Sequence, residues 1–495
     1  MVRSMARRPS RKGIEYTPVR SAPALNTEPW PVSTMTRASA AAVVTASCSA
    51  ATSSSLRALR RSGRCSSMVT TSPSRLTASI WPPHSCGCSM FMGPTSTLCG
   101  VRLLLRTRRT PRTVTAVTAP DFEILVIGAG QAGLSAGYHL QRLGLRPEQD
   151  FLMVDQAPAP GGAWQFRWPS LTLSTVNRVH DLPGMSFAET LPTGSDSVPA
   201  ATAVPRYFAL YEKRFDLRVR RPVTVRVVCD RATASTCPDA EVDGLLHAET
   251  APADSRVPLG NPATVRVRGL INATGTWDKP FIPYYRGAET FAGRQLHAHD
   301  YRTAAEFAGK HVVVVGAGIS AVQLLDEISQ VTSTTWVSRT RPRWREGPFS
   351  ADDGRRAVAL VEDRVRRGLP PRSVVSVTGL PVDDRVRAAR ARGALDWHPM
   401  FRRIEPDGVR WADDTFQPAQ VILWATGFRS ALDHLAPLRL RGPGGGITMS
   451  GRLATQVAAD PRIHLLGYGP SASTIGANRA GRAAAAELTT YLGLR

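Results

Sequence analysis

The sequence predicts an α/β protein built around two parallel-stranded βαβ units. Three observations carry this. A β-rich apolar run at residues 122–127 ends in glycines, continues into apolar positions at helical spacing (Leu134, Tyr138, Leu140, Leu143) and returns as a second apolar run at 151–154. The same succession recurs at residues 311–315, 322–328 and 335–337. Two further strand-to-glycine transitions, at 269–275 and 421–427, supply more strands ending at the same kind of turn.

The first 119 residues stand outside this pattern. They mix Ser, Thr, Ala, Pro and Arg without helical or alternating periodicity, and such a segment buries too little apolar area to offset its ordering entropy. A disordered basic extension is the expectation. Residues 1–120 carry 17 Lys and Arg against Glu15 and Glu28, which places +15 of the net +23 there and leaves +8 for the other 375 residues. Three readings of this segment stand side by side: a translation start assigned too far upstream, with Val114 or Val117 as the alternative; a real unstructured extension; or a basic nucleic-acid-binding arm.

Cys48, Cys65, Cys86, Cys88 and Cys99 lie in the same segment, and only Cys229 and Cys237 follow it. That count argues against a disulfide framework in the folded part and fits a reducing cytoplasm. No run approaches the roughly 20 apolar residues that span a bilayer. No apolar segment with a cleavage site follows the basic start. The expectation is a cytoplasmic protein without a membrane span.

Gly128-Ala129-Gly130-Gln131-Ala132-Gly133 has the GxGxxG spacing where it carries meaning, after a strand and opening a helix. The first glycine permits the tight turn, the second lets backbone approach a pyrophosphate, and the third lets helix and strand pack closely. The helix start offers free N–H groups and a partial positive charge to the anion. Asp155 ends the second strand, 27 positions after Gly128, where its carboxylate can accept from both hydroxyls of an unphosphorylated ribose.

Gly316-Ala317-Gly318-Ile319-Ser320-Ala321 repeats the arrangement with alanine in third place, which the fingerprint allows. Its second strand ends in Ser338-Arg339-Thr340-Arg341, without a carboxylate to repel a 2′-phosphate and with guanidinium groups to pair with one. This points to NADPH. A solvated basic turn is the alternative for Arg339, Arg341, Arg343 and Arg345.

Two such motifs about 190 positions apart resemble the two-dinucleotide-binding-domain flavoproteins. Within them, the run from Phe291 to Tyr301 resembles the FxGxxxHxxx(Y/W) element of flavin-containing and Baeyer–Villiger monooxygenases, the terminal tyrosine favouring the former. Ala273-Thr274-Gly275 and Ala425-Thr426-Gly427 resemble the turns linking the two domains, and Gly161-Gly162-Ala163-Trp164 resembles the GGxW turn beside the flavin. The resemblance implies an NADPH domain, residues 286–425, inserted into an FAD domain formed by 121–285 and 426–495. A last strand near 463–469 and a helix opening at Ser473 complete the FAD part, with that helix start facing the flavin; Asn478, Arg479 and Arg482 either serve that end or only cap and solvate it.

The same resemblance implies FAD and NADPH as cofactors, and dioxygen and a small organic molecule as substrates. A peroxyflavin would carry out N- or S-oxygenation or Baeyer–Villiger insertion. Asn177 stands where the family has an asparagine near that group; a turn-capping role is its alternative. His297 reads as a linker-packing residue, and Trp164, Trp168 and Trp277 as cofactor-side packing. Competing functions are an NADPH oxidase that releases peroxide, a disulfide reductase, and a redox-sensing or nucleic-acid-binding flavoprotein. The reductase needs a CxxC pair beside the flavin, and Cys229 and Cys237 have the wrong spacing. Neither a metal site nor a nucleic-acid or membrane partner is expected of the folded part.

Overall fold

The computed structural model describes residues 119–176, 179–230, 243–252, 263–347, 350–372 and 378–495, all within one unit, Thr107–Arg495. Residues 1–118, on which the predicted extension falls, and Asn177 lie outside the described residues. The strands are β1 (Phe122–Ile127), β2 (Phe151–Val154), β3 (Val223–Asp230), β4 (Leu246–Pro252), β5 (Ala263–Asn272), β6 (Arg294–His297), β7 (Val312–Val315), β8 (Thr334–Ser338), β9 (Trp344–Arg345), β10 (Leu380–Pro381), β11 (Trp397–Pro399), β12 (Arg403–Glu405), β13 (Gly408–Arg410), β14 (Phe416–Pro418), β15 (Val421–Trp424), β16 (Met449–Ser450), β17 (Gln456–Val457) and β18 (Asp460–Leu465). The helices are α1 (Gln131–Arg142), α2 (Ala200–Arg214), α3 (Ile319–Ile328), α4 (Ala351–Arg366), α5 (Asp384–Ala391) and α6 (Thr474–Tyr491).

The first sheet runs β16-β17-β18-β5-β1-β2, with the β3–β4 hairpin added along the first half of β5. Its centre is parallel: Leu125 sits opposite Leu152 on one side and Leu270 on the other. Both faces are covered, which is why β1 is apolar without a break from Ile124 to Ile127. Ile124 and Val126 join the core beneath α1, α2 and α6, while Leu125 and Ile127 join a core on the opposite face with β3, β4 and residues near the C-terminus.

The second sheet, β11-β8-β7-β15-β6, is parallel throughout. All of its strands come from the contiguous stretch between β6 and β15. Val312 and Val314 pack toward α3 and α5. Val313, Val315 and Trp424 pack toward Phe401, Ile404 and Val409 from the β12-β13-β14 meander and its approach. The second sheet is thus an insertion in the sequence of the first, as the α/β reading with a nested second unit predicts.

Candidate functional site

Each glycine fingerprint sits at the exit of a buried parallel strand, β1 between β5 and β2 in the first sheet and β7 between β8 and β15 in the second. Gly128 has φ 96°, and a Cβ there would lie 2.6 Å from the Ala273 carbonyl oxygen; one on Gly133 would lie 1.8 Å from the oxygen of Gly128. Such contacts leave room for no side chain. Gly130 differs, since a Cβ there would meet nothing within 4 Å. Its backbone faces open space at the start of α1.

That helix start carries no side-chain cap, and neither does α3, which begins after Gly318. The other helices with polar entry residues are capped by Ser350, Asp383 and Ser473. The four leading N–H groups of a helix need partners; α2 also lacks a side-chain cap, but it follows Pro199 and its first N–H donates to the Leu171 carbonyl, so the two fingerprint helices are the glycine-led starts open to an anion. The start of α6 is closed by Ser473, whose Oγ accepts from the Gly476 N–H at 3.1 Å.

Asp155 is buried beside the first fingerprint, where Oδ2 accepts from the Ala129 N–H (2.5 Å) and Oδ1 from the Ala157 N–H (2.8 Å). Its carboxylate is therefore fixed in direction before any ligand arrives. The turn at Gly161 and Gly162 folds back so closely that a Cβ on Gly162 would lie 3.0 Å from the Gly130 Cα. Together these segments frame a cleft of about 880 Å³, within the size range of small-molecule sites. It brings together the predicted Gly128, Gly130, Gln131, Ala132, Asp155, Gly162, Trp164, Thr274 and Gly275, although they span nearly 150 positions. Gly133 serves the packing behind it.

Around the cleft the side chains are already engaged. Gln131 Nε2 donates to the His180 carbonyl (3.0 Å) and to Asn478 Oδ1 (2.9 Å), which ties α1 to α6. The Gln131 Oε1 atom is buried without a partner. Thr274 Oγ1 donates to the Ala431 carbonyl (2.7 Å) and accepts from Asn272 Nδ2 (3.0 Å), and Asn272 Oδ1 in turn accepts from His434 (2.7 Å). Burial pushes the His434 imidazole down to about 4, so it serves as a neutral donor. Thr274 holds the turn's shape, and the turn offers the cleft its backbone.

In the second unit, Gly316 would place a Cβ 2.3 Å from the Ala425 oxygen, and Gly318 again opens on free space. Ala321 is fully buried where the first unit needs glycine, while Ser320 is half-buried at the helix start. Arg339 and Arg341 are exposed and have no ion-pair partner among the described residues. Their turn is set by Ser338, which donates to the Thr340 carbonyl (2.8 Å) and accepts from Trp397 Nε1 (2.8 Å). Thr426 donates to the Phe281 carbonyl, and the Gly427 carbonyl accepts from His297 Nε2 at 3.0 Å. Burial lowers the His297 affinity for a proton. His297 therefore holds the linker, as its sequence position suggests.

Glu327 on α3 joins the units. It accepts from Ser170 (2.7 Å), Tyr301 (2.8 Å) and Trp168 (3.3 Å), so the tyrosine that ends the Phe291–Tyr301 element and the segment leading toward Asn177 share one carboxylate. Thr175 and Val176, just before Asn177, line a second cleft of about 220 Å³ against α3 and α5. Two features escaped the sequence reading. Arg167 lines the large cleft, and no spacing marks it. Cys229 on β3 is disulfide-bonded, a single bridge where the cysteine count argues only against a disulfide framework; Cys229 is buried on its strand beyond the cleft-lining stretch that ends at Arg226. No helix among the described residues is long and apolar enough to cross a membrane.

Residues 122–467 match the family described as pyridine nucleotide-disulphide oxidoreductase. A solved flavin-containing monooxygenase from Stenotrophomonas maltophilia is 34% identical, with 75% of this chain and 99% of that one covered and a TM-score of 0.59. The oxidoreductase CzcO of Bacillus subtilis is 25% identical over 319 residues, covering 63% of this chain and 82% of its own length. The indole-3-pyruvate monooxygenase YUCCA4 of Oryza sativa subsp. japonica is 27% identical over 344 residues, covering 63% and 75%. With two uncapped fingerprint helices, one in a sheet with a parallel centre and the other in a parallel sheet inserted into its sequence, the chain belongs to the pyridine nucleotide-disulphide oxidoreductase family and, within it, to the flavoprotein monooxygenases of the flavin-containing type.

Proposed function

We propose that the protein is an NADPH-dependent, FAD-containing monooxygenase that transfers one atom of dioxygen to a small organic substrate and releases the other as water. The observation that carries this reading is the asymmetry between the two fingerprints: a buried, braced Asp155 at the first and exposed, unpaired Arg339 and Arg341 at the second. Asp155 suits the free ribose hydroxyls of FAD; the arginines suit the 2′-phosphate that distinguishes NADPH. When bound in the first cleft, FAD would supply the two-electron redox chemistry that links NADPH to dioxygen.

The chain's own residues do the holding. Backbone N–H groups at Gly130, Gln131 and Ala132 receive the FAD pyrophosphate, Asp155 orients its ribose, and Gly162, Trp164, Thr274 and Gly275 wall the rest of the cleft. The corresponding group for NADPH is Gly316, Gly318, Ser320 and Ala321, with Thr426 and Gly427 at its turn. The GGxW turn, pressed onto Gly130, restricts water at that end. Asn177 is assigned to the oxygenation step as an amide hydrogen-bond donor, on the family resemblance of the segment leading to it. The protein is proposed to work in the cytoplasm, without nucleic acid.

The test is the stoichiometry of purified full-length protein with FAD, NADPH, oxygen and a panel of amines, sulfides and ketones. One NADPH and one dioxygen consumed per oxygenated product, without hydrogen peroxide, supports the reading, and the productive class identifies the substrate. Peroxide released in step with NADPH oxidation across the whole panel makes the protein an oxidase. Failure to bind FAD removes the proposal altogether.

A further inference from the structure

The large cleft holds a cation that its own protein leaves unmatched. Arg167 lines it, yet its guanidinium makes no hydrogen bond or ion pair with any described residue, and Nε is buried without a partner. Desolvation alone acts on this group, lowering it to about 10, and no carboxylate adds a compensating attraction. An arginine remains charged in such surroundings, and burying an unpaired charge is costly. The other cations of the cleft are differently placed: Lys279 pairs with Asp433, and Arg226 is exposed.

Arg167 is nonetheless held in place. Its Cζ lies 4.2 Å from the ring centroid of Trp277 and 5.9 Å from that of Trp164. Trp277 is fixed by stacking with Phe428 at 5.2 Å and by contact with His299 at 4.6 Å. Cation–π contact positions a guanidinium while leaving its N–H edge free to donate. Trp277 follows the first ATG turn and Phe428 the second. The charge therefore sits on a platform built from the two linking turns, with His299 of the inserted unit against it.

We infer that Arg167 is an anion-binding residue of this cleft that takes a phosphate of a bound dinucleotide. Its planar donor edge matches a phosphate in bidentate fashion. Two sources carry that chemistry, the pyrophosphate of FAD and that of the pyridine nucleotide. The inference rests on the cofactor reading above.

The experiment compares full-length parent protein, Arg167→Gln and Arg167→Lys, each stripped of flavin and checked for folding by circular dichroism. Dissociation constants are measured for FAD, for riboflavin, which lacks the pyrophosphate, and for NADP⁺. The expected result is a rise of about tenfold or more in the FAD constant for Arg167→Gln, as for loss of a charge-assisted pair, with riboflavin unchanged and Arg167→Lys in between. A rise for NADP⁺ with FAD unchanged assigns the phosphate to the pyridine nucleotide. Unchanged constants for both dinucleotides, or equal weakening of riboflavin and FAD, overturn the inference and leave Arg167 a packing residue. If Arg167→Gln does not fold, Arg167→Lys decides alone: it keeps the charge and loses the planar edge, so an unchanged FAD and NADP⁺ affinity overturns the inference. Parent protein that binds no FAD refutes the cofactor reading instead, so the two failures are distinct.

Discussion

The two fingerprint regions solve the same geometric problem and differ at both ends of the solution. In each, the first glycine faces an alanine carbonyl of the neighbouring ATG turn, Ala273 or Ala425, and the second opens on free space. At the third position the first region tolerates no side chain, while the second buries Ala321. At the ribose end the first has a buried carboxylate braced by two N–H groups, and the second has two exposed guanidiniums. Close packing and a preset acceptor suit a ligand held through many cycles. An exposed, unbraced pair suits one that arrives and leaves, because its recognition groups are organised only on binding.

The largest effect expected from this contrast is at the third position. Gly133→Ala should cost about 3 kcal/mol of stability, the upper range for overpacking, and abolish FAD retention, whereas Ala321→Gly should cost no more than about 1 kcal/mol. Urea denaturation followed by flavin release measures both, and equal losses would erase the difference between the regions. Next, Asp155→Ala should weaken FAD about a hundredfold, or about 2.7 kcal/mol, because two backbone N–H groups lose a charged acceptor along with the ribose contact. Titration of the apoprotein reads this, and a change confined to NADPH would reverse the assignment of the two sites.

Acid probes three histidines of the first region, the half-buried His139 and His434 and the buried His464. Burial lowers His139 and His434 to about 4 and His464 to about 3. The unfolded chain, with imidazoles near the usual 6.5, binds more protons than the folded one between those values. Stability is therefore present above about 6.5 and falls as pH drops toward the folded values. For the fully buried His464, moving from pH 7 to 5 should cost on the order of 2 kcal/mol. Denaturation midpoints across that range should show it, and His464→Gln should flatten the slope if His464 is responsible.

The smallest effect is the most selective. Arg339→Ala or Arg341→Ala should raise the Michaelis constant for NADPH about tenfold each, or about 1.4 kcal/mol, with little change for NADH or for FAD affinity. Steady-state kinetics with both nucleotides settles it; a parent protein that prefers NADH would make the turn an ordinary basic surface.

What the sequence revealed follows from burial. β1, β2, β7 and β15 read clearly because both faces of each are covered, leaving apolar residues at every position but Glu123, which lies at the partly exposed start of β1. The β3–β4 hairpin alternates incompletely, the meander strands have three residues each and carry Arg403, Glu405 and Arg410, and α2 contains Pro205. None of these gives a clean period. Sites built from backbone, such as the fingerprints, announce themselves through glycine spacing. Arg167 does not, since a guanidinium beside tryptophans reads alike in one dimension whether it meets solvent or a cleft. Thr274 lines the cleft, but its hydroxyl is spent on Ala431 and Asn272.

The position of β18 beside β5 has a consequence for biosynthesis. A nascent chain that has emerged through β15 already contains every strand of the second sheet, while the first sheet still lacks β16, β17 and β18. Domains generally form as units during synthesis. The inserted sheet can therefore mature on the ribosome, whereas the first cleft must wait for its wall at Leu466, Gly467 and Ser473. Translation itself orders the two sites, and a chain truncated near residue 430 would carry the second sheet complete and the first cleft open.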